Sequence, residues 1–223
     1  MSELYPDVVV TAGGTRESID DVRYITNFST GEFGHALAGQ FAQLGHRVLL
    51  LAPDEVIQRF GTVKGVTHRP FTSAESLRSE LLSVESAKLV FQAAAVSDYA
   101  PVLTSGKISS DNDELVLTLK RVPKILPQLR GHFGLKTVIV GFKLLSGVTE
   151  DELVGAGVAQ IVHNRTDYCI ANDLQKISAP SDASNRTIHF VHNDGSYETT
   201  IGSTDKVAQF ISQKIDVNKR VIV

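Results

Sequence analysis

An α/β fold, with a doubly wound, mainly parallel sheet, helices on both faces and a small antiparallel hairpin extension, is what the sequence predicts. Three observations carry this. Short apolar runs alternate with helix-period segments, the pattern of repeated βαβ units. The first run ends in a glycine turn, and a second glycine- and hydroxyl-rich turn then opens a helix. Near the C-terminus, Asn193-Asp194-Gly195 lies between two alternating segments, which is a hairpin signal.

In order along the chain, residues 8–11 (VVVT) read as a buried strand running into Gly13-Gly14. The helix after Gly31 presents Phe33, Leu37, Phe41 and Leu44 on one face and stops at Gly45. Residues 47–52 (RVLLLA) form the second strand, closed by Pro53, and residues 67–71 a short third. A helix over 73–84 has Ser73 as its N-cap, with Ser76 alongside, and presents Leu77, Leu81 and Leu82.

Residues 89–95 (LVFQAAA) are the next buried strand, and the small residues at its end leave room for a ligand. Asp98, just beyond, is placed for a polar or metal-linked role. Residues 104–114 have the composition of a mobile loop, with Lys107 its only basic residue. Residues 115–119 alternate as an edge-like strand, 123–129 form a short helix with Pro123 near its start, and 137–142 (TVIVGF) are another buried strand. Thr149 and Glu152 make a capping box for the following helix. Residues 167–171 (DYCIA) form a strand ending at Asn172-Asp173. The hairpin extension covers about 185–202. Ser203-Thr204 then caps a final helix, about 203–216, whose face is Val207, Phe210, Ile211 and Ile215. One Rossmann-like domain over 1–223 accounts for all of this.

The formal charge of −3 and isoelectric point near 6.2 give no electrostatic support for nucleic acid as a partner. No apolar run approaches the roughly 20 residues of a membrane helix, and a short polar start before the first strand is unlike a signal peptide. A single cysteine, Cys169, lies in an apolar run and reads as a buried thiol in a cytoplasmic protein. No His/Cys cluster has zinc-ligand spacing. Glycine turns at strand ends expose backbone N–H groups, and a helix N-terminus adds partial positive charge, so the two turns suit a polyphosphate or phosphorylated ligand. Neither turn has the spacing of a dinucleotide fingerprint or a P-loop.

Taken in order, TAGGTRESID, YITNFSTGEFG, AAAVSDY, the loop lysine before a strand, VIVGF and DYCIAND resemble the phosphopantothenate–cysteine ligase family of coenzyme A biosynthesis, in its stand-alone form lacking the decarboxylase domain. The resemblance runs from about Val8 to Asp173, with the hairpin and final helix continuing to near Ile215. It implies an enzyme that activates the carboxylate of 4′-phosphopantothenate with CTP or ATP and Mg²⁺, releases pyrophosphate, and passes the acyl group to cysteine. CTP is preferred over ATP, and a cytoplasmic homodimer is expected, for which the hairpin at Asn193-Asp194-Gly195 offers an element.

Residue by residue, the resemblance places Gly13 and Gly14 in the first phosphate turn. Asn27 holds the pantothenate part and the acyl intermediate. Ser29, Thr30, Gly31 and Gly34 form the turn that receives the substrate phosphate. Ala94, Ala95 and Asp98 line the nucleotide site. Lys107 is the lysine of a closing loop, and Phe142 lies beside the base. Asn27 and Lys107 are the expected catalytic residues; metal ligands stay unassigned.

Three segments depart from the bacterial pattern. Lys143-Leu144-Leu145-Ser146 follows Phe142 without the acidic residue found there. His163-Asn164-Arg165 stands where lysines contact the nucleotide, leaving Arg165 to replace a lysine. Arg121-Val122-Pro123-Lys124 replaces a K-x-P-D segment. Two alternatives stand beside the ligase: a non-catalytic nucleotide- or phosphate-binding paralogue, which these changes favour, and an NAD(P)-dependent reductase, which lacks its fingerprint here.

Overall fold

Segments apolar along their whole length, such as VVV, VLLL and LVF, make strands that must be covered on both faces, and this sets the architecture. The computed structural model describes residues 5–177 and 186–217. From the N-terminus, β1 (Val8–Thr11) leads into a ribbon of β2 (Arg16–Ser18) and β3 (Tyr24–Thr26). Next come α1 (Glu32–Gln43), β4 (Val48–Leu51), α2 (Asp54–Phe60), β5 (Val66–Arg69), α3 (Ala74–Leu82) and β6 (Leu89–Gln92). A second ribbon, β7 (Tyr99–Pro101) with β8 (Leu119–Arg121), precedes α4 (Leu126–Phe133), β9 (Val138–Leu145), α5 (Glu150–Asn164) and β10 (Tyr168–Asp173). The described chain closes with β11 (Arg186–His192), β12 (Tyr197–Gly202) and α6 (Thr204–Lys214).

The main sheet has eight strands in the order β12-β11-β10-β9-β6-β1-β4-β5. The six from β10 to β5 are parallel, and β11 and β12 add an antiparallel edge. Chain order therefore reverses between β1 and β6, and ligands of open α/β sheets bind at such a switch point, outside the C-terminal strand ends. On one face Val8, Val10, Leu50 and Phe91 pack against α1 and α6, through Leu37, Phe41, Val207 and Ile211. On the other, Val9, Leu49, Val90 and Ile139 meet α3 and α4 through Leu77, Leu81 and Leu129, while α5 covers Cys169, Ala171 and Val191.

The expected caps are present. Ser73 and Ser76 cap α3 reciprocally, Thr149 and Glu152 do so for α5, and the Ser203 hydroxyl accepts from Lys206 N. Other boundaries differ from expectation. Pro53 is the N-cap of the unforeseen helix α2, whose Asp54 and Glu55 in the first turn and Arg59 in the last suit the helix dipole. Residues 115–118 form no strand, because pairing with Tyr99–Pro101 begins only at Leu119. Helix α4 starts at Leu126 rather than Pro123; Pro127 occupies its first turn, where a missing N–H costs nothing. The hairpin is as expected from residue 186, its start at 185 lying outside the described residues.

Polar clamps tie the strand beginnings. Buried Arg130 donates to the carbonyls of Gly134, Thr137 and Arg165 and to Asp167, which also accepts from Ile139 N at 2.7 Å. The Asp7 carboxylate accepts from Arg47 N and Nε at 3.2 and 3.0 Å and pairs with Lys88 at 3.1 Å, joining the entries of β1, β4 and β6.

The Arg47 guanidinium beside Asp7 holds its carboxyl far below the usual carboxylate range. The folded state therefore binds this proton less readily than the unfolded chain, and the stability it contributes is present at neutral pH. That stability is lost as pH falls through about 4, the unfolded value, toward the lower folded one. Arg47 and Lys88 are both more than half exposed, which limits the contribution to about 1 kcal/mol. Asp7→Asn should lose about that much at pH 7 and show a shallower fall in melting temperature between about pH 5 and 2 than wild type.

Candidate active site

At the switch point, β1 and β6 continue past the sheet as a second, smaller ladder. Ala94 N donates to Thr11 Oγ1 at 2.9 Å, and Ala95 N donates to the Gly13 carbonyl at 2.8 Å. Thr15 N donates back to the Ala95 carbonyl at 3.2 Å. The Thr15 hydroxyl accepts from Ser97 N at 3.0 Å and donates to Ser97 Oγ at 3.1 Å. These bonds satisfy the backbone where two strand ends would otherwise fray, and they hold Gly13, Gly14, Ala94 and Ala95 side by side.

The β2–β3 ribbon folds back over this floor. Thr26 Oγ1 donates to the Thr15 carbonyl at 2.8 Å, and Asn27 Nδ2 donates to the Ala95 carbonyl at 3.4 Å. Asn27 is exposed, and beyond this bond its carboxamide keeps an acceptor oxygen and a second N–H for other partners. The chain then turns through Ser29 and Thr30, whose hydroxyl accepts from Glu32 N at 3.3 Å, into α1.

Helix α1 begins after Gly31, which has φ +76° and provides no side-chain cap, so beyond the Glu32 N–H held by Thr30 the first turn can offer N–H groups to a ligand. A Cβ on Gly31 would lie 2.5 Å from Val56 Cγ2 and 3.2 Å from Gly13 N. Gly34 packs the helix onto β1, where a Cβ would come within 2.6 Å of Ala12 Cβ. The absence of side chains at these two positions lets the helix N-terminus approach the first glycine turn.

Of the sequence-predicted residues, Gly13, Gly14, Asn27, Gly31, Ala94 and Ala95 thus converge, with Ser29, Thr30 and Gly34 on the adjoining turn and helix. Phe142 lies on the α1 face, edge-on to Phe33 at 5.7 Å. Asp98 follows the β6 extension but is ion-paired with Lys124. Lys107 is exposed on a loop whose neighbours Gly106 and Ile108 are bonded to the β2–β3 turn: Asp21 N donates to the Gly106 carbonyl at 3.2 Å and Ile108 N to Asp20 Oδ2 at 3.1 Å.

Arg165 is the exception. It follows α5 as the C-cap, with φ 57°, and precedes β10, so it stands at the edge where the parallel strands enter. The glycine turns stand at the edge where they leave. Arg165 therefore does not join the residues that converge at the strand ends.

Sequence reasoning passed over Thr11, Thr15, Ser97, Asp20 and Arg23. The alternating hydroxyls of T-A-G-G-T, and the acid–base spacing of Asp20 and Arg23, were the available signals. It also passed over Gln92, buried at the end of β6 with neither amide atom partnered among the described residues. Burial pushes the Cys169 thiol up to about 12, which removes it as a nucleophile. No group of three or more His, Cys, Asp or Glu is arranged for a metal ion among the described residues, and no helix among them is long and apolar enough to cross a membrane.

The family described as DNA/pantothenate metabolism flavoprotein C-terminal domain matches residues 5–218. Among curated proteins, the chain is similar to the coenzyme A biosynthesis bifunctional protein CoaBC of Methanocaldococcus jannaschii, with 36% identity over 76% of this chain and 41% of that protein. It is also similar to the protein of the same name from Bacillus subtilis, with 34% identity over 84% of this chain and 45% of that one. The chain thus spans less than half the length of these relatives. Among solved structures, the DNA/pantothenate metabolism flavoprotein of Streptococcus pneumoniae superposes with a TM-score of 0.83 at 29% identity, covering 94% of this chain and 97% of that one.

The crowding at Gly31 is separable from its backbone conformation. Gly45 has φ +86° with nothing within 4 Å of a built Cβ. Gly45→Ala should cost about 1 kcal/mol from conformation alone. Gly31→Ala should cost at least about 1 kcal/mol more, because Val56 must move. Urea midpoints of the two variants, compared at equal slope, measure the difference.

Proposed function

The chain belongs to the DNA/pantothenate metabolism flavoprotein C-terminal domain family, and from that membership we propose that it is a phosphopantothenate–cysteine ligase of coenzyme A biosynthesis. The observation that carries this reading is the convergence of an uncapped helix N-terminus, two side-chain-free strand ends and the Asn27 carboxamide at the switch point.

In this reading a carboxylate oxygen of 4′-phosphopantothenate attacks the α-phosphorus of a nucleoside triphosphate. The bond to the bridging oxygen breaks and pyrophosphate leaves, giving an acyl-nucleotide. The cysteine amine then attacks the acyl carbon, losing a proton, and the nucleoside monophosphate departs. Both steps need reactants held in line and negative charge neutralised, with little acid–base machinery. The Ser29–Thr30–Gly31 turn and the start of α1 suit the substrate phosphate. Asn27 can donate and accept at the acyl group without competing as a nucleophile. Gly13, Gly14, Ala94 and Ala95 allow the nucleotide's phosphates to approach the backbone. Lys107, as the expected catalytic cation, would stabilise charge developing at the α-phosphate. Phe142 offers an apolar surface beside the base.

The described residues do not form a cage for Mg²⁺, and the Asp98 carboxylate is already engaged by Lys124. A magnesium ion would accordingly arrive on the nucleotide's own phosphates, where it neutralises charge. We take the nucleotide to be CTP ahead of ATP and the compartment to be the cytoplasm. A homodimer is supported by apolar side chains exposed on and beside the two ribbons, Val22, Tyr24, Phe28, Tyr99 and Leu119. Tyr197 and Ile201 give the hairpin a smaller apolar face.

Purified protein with Mg²⁺, 4′-phosphopantothenate and cysteine should release pyrophosphate with CTP faster than with ATP. Lys107→Gln should lower kcat by about 100-fold with KM for phosphopantothenate within about threefold. Nucleotide binding without pyrophosphate release by folded protein would favour the non-catalytic paralogue. Light scattering at assay concentration should give twice the chain mass; a monomer mass would remove the dimer from this reading.

A further inference from the structure

Lys107 sits in a loop whose composition gives it no reason to hold still. Its neighbour Ile108 is nevertheless fastened to a buried carboxylate, and Gly106 to the backbone beside it. The Asp20 side chain is fully buried. Its Oδ1 accepts from Val22 N at 3.0 Å and Arg23 N at 2.8 Å, closing the β2–β3 turn. Its Oδ2 accepts from Arg23 Nε at 3.0 Å and Nη2 at 2.5 Å, and from Ile108 N at 3.1 Å. The same Arg23 Nη2 donates to the Ile108 carbonyl at 2.9 Å. On the other side of Lys107, Asp21 N donates to the Gly106 carbonyl at 3.2 Å, and Thr104 N donates to the Ile19 carbonyl at 3.0 Å.

We propose that Asp20 is a positioning residue for the reaction: through Arg23 and the Ile108 backbone it fixes the Lys107 loop to the ribbon that delivers Asn27. This rests on the role given to Lys107 above. The physical reason is cooperative. A buried carboxylate is tolerated only when its lone pairs are filled, and here two are filled by its own turn and the rest by Arg23 and the distant loop. Charge-assisted bonds of this kind are roughly twice as strong as neutral ones, so the carboxylate can order a segment that polar composition would leave mobile. The ribbon that Asp20 closes runs through Thr26, bonded to the Thr15 carbonyl, directly into Asn27. The two residues expected to act on the acyl-phosphate therefore share one anchor, and an error in that anchor misplaces both relative to the ladder of Thr15 and Ala95. Such pre-organisation lowers the barrier without touching the reactants.

The test has three arms. In wild type, the Ile108 amide should exchange about 100-fold more slowly than that of Ser109. Equal exchange in the folded protein would overturn the clamp without any variant. Asp20→Asn, confirmed as folded by its melting transition, should be cut after Lys107 by a lysine-specific protease about tenfold faster than wild type. Its kcat should fall about tenfold while KM for phosphopantothenate stays within about threefold. Adding Asp20→Asn to Lys107→Gln should slow turnover by clearly less than tenfold, because the share of its effect that acts through the lysine is already lost and only the share through Asn27 remains. Unchanged turnover in Asp20→Asn, or full additivity in the double variant, would overturn the positioning role. Absence of ligase activity in wild type would instead fault the reading of the site's function, and exchange and cleavage would still decide whether the clamp exists.

Discussion

The short ladder between the ends of β1 and β6 is the constraint on which the site depends. In a parallel sheet two strands normally diverge past their last shared hydrogen bond, one entering a helix and the other a loop. Here Thr11, Gly13 and Thr15 continue to bond with Ala94, Ala95 and Ser97 beyond the sheet. The crevice floor is consequently as well fastened as the sheet itself. Everything above it is registered to that floor: Thr26 and Asn27 through the Thr15 and Ala95 carbonyls, and α1 through the approach of Gly31 to Gly13 and of Gly34 to Ala12. Loss of one hydroxyl, at Thr15, would leave Ser97 N buried without its acceptor, and the error would pass to three neighbouring segments.

Charge is arranged to the same end. The chain carries a net negative charge, which is unfavourable for a polyanionic ligand taken by itself. Three carboxylates on the elements around the crevice are, however, engaged by cations: Asp20 by Arg23, Asp98 by Lys124, and Glu55 by Arg16 at 2.6 Å; Glu32, in the first turn of α1, accepts from the Thr204 hydroxyl at 3.3 Å. The crevice floor and the turn above it offer neutral amide and hydroxyl groups and the positive end of α1. A ligand phosphate thus meets dipoles that cost nothing to reorient, rather than side-chain cations held by long flexible stems.

The difference between what was legible in the sequence and what was not follows the range of the interactions. Strand β1, helix α1 and the caps of α3 and α5 are local patterns: an apolar run, a face of Phe33, Leu37 and Phe41, and hydroxyls three residues from their partners. The hairpin of β11 and β12 was equally readable because Asn-Asp-Gly specifies its own turn. The ribbons were not. Strands β2, β3, β7 and β8 are three residues each, largely exposed, and without a period that burial would impose. β7 pairs with a strand some twenty residues away, and nothing at Tyr99 announces Arg121. At the site, the glycines and Ala94-Ala95 were legible because their smallness is itself the signal. Asp20 was not, since its partner Ile108 lies 88 residues further on. The position of Arg165, away from the glycine turns, was hidden for a related reason. Local order places it before a strand, whereas the parallel topology decides which edge of the sheet that is.

This geometry also bears on the kind of chemistry the crevice can support. A hydrolase or a proton-transfer enzyme would need a nucleophile or base at the floor. The thiol of Cys169 is buried away in the β10 strand under α5, with its proton held to high pH, and the floor itself is backbone, methyl and hydroxyl groups whose lone pairs already accept N–H donors. Such a surface can bind and orient but has little capacity to take a proton. It therefore suits a reaction whose nucleophiles come with the substrates, first a carboxylate and then an amine. In that case the protein's contribution is concentrated in approach and charge: an amide at Asn27 to orient the acyl group, N–H groups for phosphates, and the Lys107 cation on its fastened loop. The arrangement explains why so much hydrogen bonding is spent on placing a loop that carries a single lysine. Where the floor is chemically inert, the position in which that lysine is held determines how well the transition state is stabilised.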